Sequence, residues 1–578
     1  MPAHDDAIYI TDLERCQPQT AISASPKRHA WHAQPYETAE LSGYLLCAGE
    51  ETAAPEVAVG LELSGWHRIY IGVYPEHRGI AAVEARLSDD PCFSRLNMGA
   101  EWAPLSPHGH SVYELWWKEA DLTGQELFLR QVCTPTGTSD EAAAVSCQRT
   151  KVAYVKLVPL SEEEVAGLEA ERRRSDTRTL FAHNDAHGYL FLYGTATEEA
   201  VRNEIEPYRH TDFSRLYWEC GAGDLMFYLG QAGRLPAADG IEDFDRQGDR
   251  LHAETWRSFR ESQLDPLVVA LNAAHEIGLS FHASYRPAGF FYPAPLEQWN
   301  AGSLYFTRPD LRMVGKDGRI APRVSYAFAD TRRFVIDMML EVAQHPIDGV
   351  CILYNRRPPL VDYEPPLVEG FKAAYGEDPR QLADDDPRWL AHRGTALTAF
   401  HRELREALDE LAREQGRERI KVSACVLNRD ENLQNGLDLK SWVAEALVDT
   451  LIPYTDLPGL DSTGMAWEDG PEVRYFVELV EGTECQLALN VMPRHMSAEA
   501  FRRKAAALYG QGVENLFFWD SAGPSGRANY SASWNALRRL GHREEIERWL
   551  RQGQPSLAPV SVALRRVGDY DLTYQTPG

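Results

Sequence analysis

The first 160 residues alternate between apolar and polar positions with a period of two. Four such runs, separated by Gly, Pro and Asp, cover residues 56–63, 65–74, 126–132 and 151–158. Successive side chains of a strand point to opposite faces, so this pattern is typical of strands that bury one face. Almost no helical periodicity interrupts it. The pattern predicts an antiparallel β-sandwich domain over residues 1–160.

A charged stretch over residues 161–178 separates this region from the rest of the chain. It contains Ser161-Glu-Glu-Glu and, further on, Glu171-Arg-Arg-Arg. Charge in this density is typical of an exposed helical connector. We therefore predict a linker over residues 161–178.

Beyond the linker, eight short apolar runs alternate with amphipathic helical segments. The runs are 179–183, 215–219, 279–283, 349–354, 420–426, 450–454, 485–490 and 515–519. Eight strand–helix units in roughly 370 residues are typical of a (β/α)8 barrel with insertions, here over residues 179–552. A doubly wound sheet is the competing architecture, but the glycine-rich turn expected after its first strand is absent. The tail, 553–578, holds one more strand-like run that could rejoin the sandwich.

Loop lengths indicate which part of the barrel carries the site. The segments after the second, third and fourth strands are long, covering about 220–254, 286–329 and 356–392. Long loops that follow barrel strands lie on the face that carries the active site. We therefore expect a cleft that leans towards strands two to four.

Composition places the chain among ordinary globular proteins. It has 578 residues, of which 44% are hydrophobic and 25% charged, and this excludes a collagen, a disordered chain and a disulfide scaffold. The 86 acidic residues outnumber the 59 basic residues, for a net charge of −27. Nucleic acids and anionic membranes are bound by clustered Lys and Arg, so this charge argues against both partners. A neutral sugar is the ligand that this charge resists least.

The N-terminus and the cysteines bear on the compartment. Residues 1–8 start neither with a basic segment nor with an apolar run, so no signal peptide is expected. The sequence contains no apolar stretch of 18 residues, so no membrane-spanning helix is expected. The nine cysteines show no C-x-x-C spacing, and four lie in strand-like runs. We predict reduced, buried cysteines and a cytoplasmic protein.

Polar and aromatic residues at the ends of the predicted barrel strands are the candidate site residues, because such barrels carry their sites there. Aromatic rings could stack on sugar rings, and Arg, Asn and His could hold hydroxyl or carboxylate groups. Each residue alone is more often core or scaffold, and the concentration at strand ends is what favours a site. The predicted substrate-binding residues are His183, His187, Trp218, His282, Tyr285, Arg286, Tyr354, Asn355, Arg356, Asn490, Arg494 and Trp519.

Four carboxylates are the candidate catalytic groups. Glycosidic cleavage uses one carboxylic acid to protonate the leaving oxygen and one carboxylate to attack or to activate water. Asp520, Asp185 and Glu219 follow the eighth, first and second strands, which adjoin in a closed barrel, so we expect one acidic cluster. Glu219, beside Trp218, is the leading acid/base, and Asp185 or Asp520 is the nucleophile or water activator. Glu364, in the fourth loop, is a rival acid. For each carboxylate the alternative role is a loop anchor or helix cap.

The spacing His183-x-Asp185-x-His187 suggests a metal site as an alternative, since alternate residues of an extended segment point the same way. A metal-dependent barrel hydrolase would also need histidines after the fifth and sixth strands. Those ends read Val426-Leu-Asn-Arg and Pro453-Tyr-Thr-Asp. We therefore predict neither a metal nor another cofactor.

Three stretches of the fourth to sixth units are distinctive. They are 347–359 (IDGVCILYNRRPP), 363–380 (YEPPLVEGFKAAYGEDPR) and 435–454 (NGLDLKSWVAEALVDTLIPY). In these stretches the chain resembles the glycoside-hydrolase-like family 10 group of bacterial (β/α)8 barrels, which implies glycosidase activity by analogy of fold. Members of that group commonly carry an Asp in the fourth-strand stretch. Here Leu353 occupies the matching position while Arg356 is kept, which shifts the catalytic weight to the four carboxylates named above.

Together these observations predict a glycoside hydrolase that cleaves oligosaccharides or glycosides by a two-carboxylate mechanism. Retention of configuration is favoured, because carboxylates on adjacent strands lie close together. Two other classes stay open. One is a carbohydrate-binding barrel that has lost its strand-four carboxylate. The other is a metal-dependent lyase or isomerase that uses His183, Asp185, His187 and His282. The oligomeric state is not predicted.

Overall fold

A computed structural model describes residues 6–75, 82–97, 110–135, 145–186, 188, 190, 196–454, 470–492, 496–519 and 532–573. Its described strands form a closed parallel barrel, a ten-stranded sheet, a four-stranded sheet and two small two-stranded sheets. The predicted fold class, a (β/α)8 barrel preceded by an antiparallel sandwich, is confirmed.

The ten-stranded sheet is built mostly from the first 160 residues. Its strands are Ile8–Ile10, Ile22–Ser23, Trp31–Glu37, Ser42–Ala48, Trp66–Val73, Ser111–Asp121, Thr150–Pro159, Val560–Ala563, Arg566–Val567 and Tyr570–Asp571. All its pairings are antiparallel except that of Ile22–Ser23 with Trp31–Glu37. Strand Val560–Ala563 pairs with Ser111–Asp121, so the C-terminal run does return to this sheet.

The four-stranded sheet packs against the ten-stranded sheet. Its strands are Val57–Gly60, Ala82–Leu87, Ser94–Asn97 and Glu126–Gln131. Val59, Val83 and Leu127 from this sheet share one buried cluster with Ile71 and Leu115 from the larger sheet. The period-two alternation of the sequence therefore corresponds to two sheets that bury one face each against the other.

Eight parallel strands form the barrel, and we number them β1 to β8. They are β1 (Leu180–Asn184), β2 (Phe213–Ala222), β3 (Ser280–Arg286), β4 (Gly349–Leu353), β5 (Lys421–Val426), β6 (Thr450–Pro453), β7 (Gln486–Asn490) and β8 (Asn515–Trp519). Strand β1 pairs with both β2 and β8, which closes the barrel. Strand Leu225–Met226 folds back on β2, and a hairpin of Arg312–Val314 and Ile320–Val324 stands in the loop after β3.

Helices surround the barrel and connect its strands. They are Glu162–Arg172, Glu198–Arg202, Gln247–Ser262, Pro266–Glu276, Leu304–Thr307, Ala329–Val342, Pro365–Tyr375, Pro387–Glu414, Arg429–Gln434, Leu439–Ala444, Gly470–Val480, Ala498–Tyr509, Ala532–Leu537 and Arg543–Arg551. The first of these lies in the predicted linker and starts with a capping box, in which Ser161 and Glu164 satisfy each other's backbone N–H groups. In the described helices, no segment is long and apolar enough to span a membrane.

Alternate residues of the barrel strands point inward and fill the barrel. Their apolar side chains form a cluster distinct from the layer between strands and helices. The cluster consists of Phe181, Tyr217, Cys351, Leu353, Cys425, Ile452, Tyr454, Ala488, Phe517 and Trp519. Because the interior is packed in this way, a ligand can meet only the residues at the carboxyl ends of the strands.

One expectation about the cysteines is wrong. Cys133 and Cys147 lie opposite each other in a small hairpin, with Cα atoms 3.9 Å apart, and form a disulfide. The other seven cysteines are buried and form no disulfide among the described residues, as expected. Disulfides persist mainly in oxidising compartments, so the cysteines no longer support the predicted cytoplasmic location.

Candidate functional site

Nine polar or aromatic side chains gather at the carboxyl ends of the barrel strands, and we call them the mouth group. They are His183, Glu219, Ser284, Arg286, Asn355, Arg356, Tyr454, Asn490 and Trp519. They come from the ends of β1 to β4 and β6 to β8. Five of the nine come from β2, β3 and the end of β4, and the other four come from β1, β6, β7 and β8.

A stack of His183 on Trp519 forms one side of the mouth group. The two residues are register partners on β1 and β8, and their ring centroids lie 3.7 Å apart with an interplanar angle of 22°. The Nε2 atom of His183 lies 3.4 Å from the Oγ atom of Ser284 on β3. The stack and this contact fix the imidazole in one orientation.

Two further side chains surround the Trp519 indole. The Tyr454 ring lies 5.1 Å from it at a tilt of 58°. The guanidinium of Arg356 lies over it, 5.2 Å from the ring centroid. A cation over an indole face is held by the ring quadrupole, so Arg356 is positioned at the edge of the mouth with a positive charge.

An ion pair between Glu219 and Arg286 lies on the neighbouring strands β2 and β3. The Nε atom of Arg286 lies 2.7 Å from Oε2 of Glu219, and the Glu219 carboxylate is fully buried. The backbone of Arg286 is fixed too, since its carbonyl oxygen accepts a hydrogen bond from the N–H of Gly223. A guanidinium at this distance stabilises the anionic form of a buried carboxylate.

Asn355 and Asn490 contribute two amides to the mouth group. Asn490 continues the inward row of Ala488 on β7, and Asn355 continues that of Leu353 on β4. Both side chains are fully buried, and neither amide has a hydrogen-bond partner in the described part of the chain. Leaving such a group without a partner costs about 1–3 kcal/mol. A ligand with hydroxyl groups would supply the missing partners.

Asp185 follows β1 directly and lies in a turn. Its Oδ1 atom accepts a hydrogen bond from the N–H of Gly188 at 2.9 Å, and the side chain is half-buried. The preceding Asn184 donates to Glu204 and accepts from the N–H of Ala186. These bonds hold the turn that places Asp185 next to the mouth group.

Glu364 lies among the loops instead of joining the mouth group. Its carboxyl oxygens accept hydrogen bonds from the N–H groups of Asp362, at 2.8 and 3.1 Å, and of Val314, at 3.4 Å. It therefore ties the loop after β4 to the hairpin in the loop after β3. Burial raises the pKa of this carboxyl group to about 7, although the hydrogen bonds from Asp362 oppose the shift.

Three predicted binding residues face away from the mouth, which corrects the sequence-based assignment. Trp218, Tyr285 and Tyr354 belong to the layer between strands and helices. The hydroxyl of Tyr285 donates to the carbonyl oxygen of Gly223, and that of Tyr354 contacts the imidazole of His401 at 2.8 Å. The reason is that successive side chains of a strand point to opposite faces, and each of these residues is adjacent in sequence to an inward-facing residue.

His282 also differs from its prediction, because it lies deeper in the barrel. Its ring packs edge-on against Tyr217, 5.1 Å away, and it is the register partner of Gly349 at the start of β4. Burial, together with the charges of Arg215 and Lys421, lowers the pKa of His282 well below its usual value. It is a neutral packing residue below the mouth group.

Three further candidates lie outside the described residues: His187, Arg494 and Asp520. Their proposed roles stay predictions. Conversely, the sequence-based list of binding residues did not include Ser284, which contacts His183. The alternation of side chains along a strand was a signal for Ser284, because Ser284 and Arg286 lie two residues apart on the same face of β3.

No group of three or more His, Cys, Asp or Glu side chains able to hold a metal ion occurs among the described residues. His183, the first residue of the metal hypothesis, is instead stacked on Trp519. What the mouth group offers chemically is a buried carboxylate beside a guanidinium, an aromatic stack and two amides with unused hydrogen-bonding capacity.

No protein-family model and no curated protein matches the sequence of this chain. Several solved structures are similar to it at low identity. The glycoside hydrolase domain of PgaB (BpsB) from Bordetella bronchiseptica is 14% identical, with a TM-score of 0.41, over 64% of this chain and 97% of that one. The α-galactosidase TtGalA from Thermus thermophilus is 14% identical, with a TM-score of 0.34, over 89% and 95% of the two chains. A ruminal GH26 endo-β-1,4-mannanase is 8% identical, with a TM-score of 0.29, over 93% and 96%.

Proposed function

We propose that this protein is a glycoside hydrolase that cleaves oligosaccharides or glycosides at the mouth group, in keeping with its resemblance to the glycoside-hydrolase-like family 10 group. One observation carries the proposal. The buried carboxylate of Glu219, held 2.7 Å from Arg286, shares the mouth with two buried amides, Asn355 and Asn490, that have no partner among the described residues.

The other members of the group favour a sugar as the ligand. A saccharide presents many hydroxyl groups, which can donate to and accept from the amides of Asn355 and Asn490. Its apolar C–H faces pack against aromatic rings, and Trp519 with Tyr454 supplies such a surface at the same end of the barrel. Ligand binding would thus supply partners for the two amides that have none among the described residues.

Within this proposal, Glu219 acts in its ionised form. The positive charge of Arg286 stabilises the carboxylate, which suits attack on the anomeric carbon or activation of a water molecule. Asp185 or Asp520 is then the acid that protonates the leaving oxygen. This exchanges the roles expected from the sequence, since Trp218, which was expected to desolvate Glu219, faces the helices. We propose retention of configuration because β1 and β2 are adjacent. NMR that identifies the anomer released first tests this stereochemistry.

The experiment is a panel of aryl glycosides and oligosaccharides, followed by release of chromophore or of reducing ends. Once a hydrolysed substrate is found, Glu219→Gln should lower kcat by about 10²–10⁴-fold without loss of folding. Glu84→Gln is the matched control, because Glu84 is also buried and bound by arginines, Arg95 and Arg130, but lies in the four-stranded sheet. Full activity of Glu219→Gln would refute the assignment.

A non-catalytic, carbohydrate-binding barrel is the second candidate. It is favoured by Asn355 and Asn490, which place amides where β4 and β7 end and where a carboxylate could have stood. Saturable binding of an oligosaccharide, with no reducing ends released over days, would support this candidate over hydrolysis. Metal bound after purification without added ions, together with activity that is lost on chelation, would favour the metal-dependent lyase or isomerase instead.

A further inference from the structure

A cavity of about 550 Å³ lies at the opposite end of the barrel from the mouth group. Its walls are the first two sheets, helix Glu162–Arg172 and the residues that precede β1, β2 and β3, including Thr177, Asp212 and Ile277. The mouth group follows the strands whereas these residues precede them, so the two places are separate. Cavities of this size between domains commonly hold small ligands.

Two arginines lie over indole rings in the wall of this cavity. The guanidinium of Arg538 is 3.9 Å from the ring centroid of Trp116, and that of Arg172 is 5.3 Å from the ring centroid of Trp66. Stacking fixes the plane of a guanidinium while its N–H edge stays available for hydrogen bonds. The Nη1 atom of Arg538 also donates to the carbonyl oxygen of His210, at 3.4 Å, so both guanidinium groups have a defined position in the cavity wall.

Four carboxylates of the cavity wall are bound by other cations, while Asp89 and Asp121 of the same wall accept hydrogen bonds from the side chains of Gln125 and Thr123. The ion pairs are Asp90 with Lys118, Glu206 with Arg209, Asp212 with His542, and Glu119 with Arg68. These contacts reduce the capacity of the wall carboxylates to neutralise the two stacked arginines.

Arg172 is the clearest case of a charge without a counter-ion. Over the described ranges it forms no ion pair, and its Nη2 donates only to the backbone carbonyl oxygen of Glu119, at 3.2 Å. Its buried Nε atom has no acceptor there. Burial lowers the pKa of the Arg172 guanidinium, as expected for a cation that lacks a carboxylate partner.

The pKa of His210, in the same wall, reflects nearby positive charges. Partial desolvation, reinforced by the charges of Arg172, Arg209, Arg538 and Lys118, lowers the pKa of His210 to about 3. The histidine is therefore neutral at physiological pH and can donate or accept one hydrogen bond. Four positive charges therefore act on this part of the cavity wall, although the whole chain carries a net charge of −27.

We propose that this cavity is a second ligand site, which binds a small molecule carrying a carboxylate, sulfate or phosphate group, with Arg172 and Arg538 holding the anion. Planar guanidinium groups bind such oxyanions through paired N–H···O bonds. The cavity volume suits a ligand of monosaccharide size, such as a sugar acid or sugar phosphate. The site does not depend on the proposed hydrolase activity.

Binding to the full chain is tested by titration calorimetry and tryptophan fluorescence. The probes are glucuronate, inorganic sulfate and inorganic phosphate, with glucose as the neutral match for glucuronate. At least one anion should bind saturably and with lower affinity at higher salt, while glucose does not compete. Absence of saturable binding for all three anions up to 20 mM (roughly the weak limit of small-ligand affinities) overturns the proposal.

Variants of the two arginines test whether the anion binds at this cavity. Arg172→Gln and Arg538→Gln should each weaken anion binding by about tenfold or more, because each removes charged hydrogen bonds. Arg548→Gln, on the exposed face of helix Arg543–Arg551, is the control and should bind like the native chain. If the glutamine variants unfold, Arg172→Lys, which keeps the charge but loses the fork, should still weaken binding. Binding that survives both arginine changes, or that is lost in Glu219→Gln, places the anion elsewhere and overturns the proposal.

Discussion

Glu364 is held in its loop position by hydrogen bonds from backbone N–H groups, and its carboxyl group has a pKa raised to about 7 by burial. When the pKa of an acid is higher in the folded chain than in the unfolded chain, the protonated form of that acid favours folding. Its ionisation therefore costs stability as the pH rises from about 4.5 to about 7, by at most about 3 kcal/mol. The loop contact is strongest in mildly acidic solution.

We expect Glu364→Gln to be more stable than the native chain at pH 8 and nearly equal to it at pH 4.5. Glutamine keeps an acceptor for the N–H of Asp362 but carries no charge to desolvate. Thermal unfolding midpoints of the two proteins across this pH range measure the difference. A glutamine variant that is less stable at pH 8 would contradict the raised pKa.

Asn490 exemplifies a residue kept at a cost to stability. Its buried amide has no hydrogen-bond partner among the described residues, so Asn490→Leu, which keeps the number and branching of side-chain heavy atoms, should raise the free energy of unfolding by about 1 kcal/mol. The same change should abolish hydrolysis or oligosaccharide binding, because the polar contact is lost. Denaturant unfolding and the glycoside assay measure the two effects.

Asn432→Leu is the matched control for this prediction. The Asn432 amide is also buried, but it accepts from the N–H of Leu427 at 2.9 Å and donates to the carbonyl oxygens of Leu427 and Asn428. Its loss removes the side-chain partner of the Leu427 N–H and of the Leu427 carbonyl oxygen, whereas the Asn428 carbonyl oxygen keeps the N–H groups of Glu431 and Asn432, and it should lower stability by about 2 kcal/mol or more. Equal effects of the two leucine variants would show that the Asn490 amide is already satisfied.

At the scale of elements, the close approach of β3 to β4 depends on Gly349. A β-carbon at this position would lie 2.4 Å from Nδ1 of His282 and 2.8 Å from the carbonyl oxygen of Lys421. Glycine is therefore required by space and not by backbone conformation. The His282 ring fills the room that a side chain on β4 would otherwise take.

Gly349→Ala should lower stability by about 1–3 kcal/mol through overpacking. The double variant Gly349→Ala with His282→Ala should be more stable than the sum of the single changes predicts, because the ring that clashes is gone. Urea unfolding of the native chain, the two single variants and the double variant gives the coupling free energy between the two positions. Gly60→Ala, at a strand position with nothing within 4 Å of the added carbon, should be nearly neutral. Additive effects of the two changes would contradict the clash.

At the scale of the whole molecule, His542 joins the barrel to the connector helix. Its Nδ1 lies 2.8 Å from Asp212, which precedes β2, and its Nε2 contacts Glu171 of helix Glu162–Arg172. Burial lowers the pKa of His542, but hydrogen bonds to the two carboxylates raise it by more, so the net shift is upward. A raised histidine pKa adds stability that is fully present below pH 6.5 and is lost as the pH rises through the folded pKa.

His542→Gln should therefore be less stable than the native chain at pH 6, and the difference should shrink by pH 9. The thermal midpoints of both proteins at the two pH values check this, with His275→Gln as the control, because His275 is half-exposed and pairs with Asp348. A difference that is constant across this range would show that His542 is neutral in the folded protein.

The sequence alone determined the sandwich and the barrel, because local patterns suffice for both. Period-two runs mark strands that bury one face, and eight apolar runs spaced by amphipathic helices mark β1 to β8. It also located Glu219, Arg286, Asn355, Asn490 and Trp519 at strand ends, since chain order places these residues after apolar runs. The domain boundaries at 160 and 179 stay predictions.

Only the tertiary structure decided which side chains face the mouth. A parallel barrel strand is buried on both faces, so its sequence lacks the polar alternation that would distinguish inside from outside. Trp218 and Glu219 are adjacent, and only the closed barrel places the carboxylate inward and the indole outward. The Glu219–Arg286 pair, the His183–Trp519 stack and the Cys133–Cys147 disulfide are likewise decided by strand register. Register brings together residues far apart in sequence, because it follows from how the whole core packs.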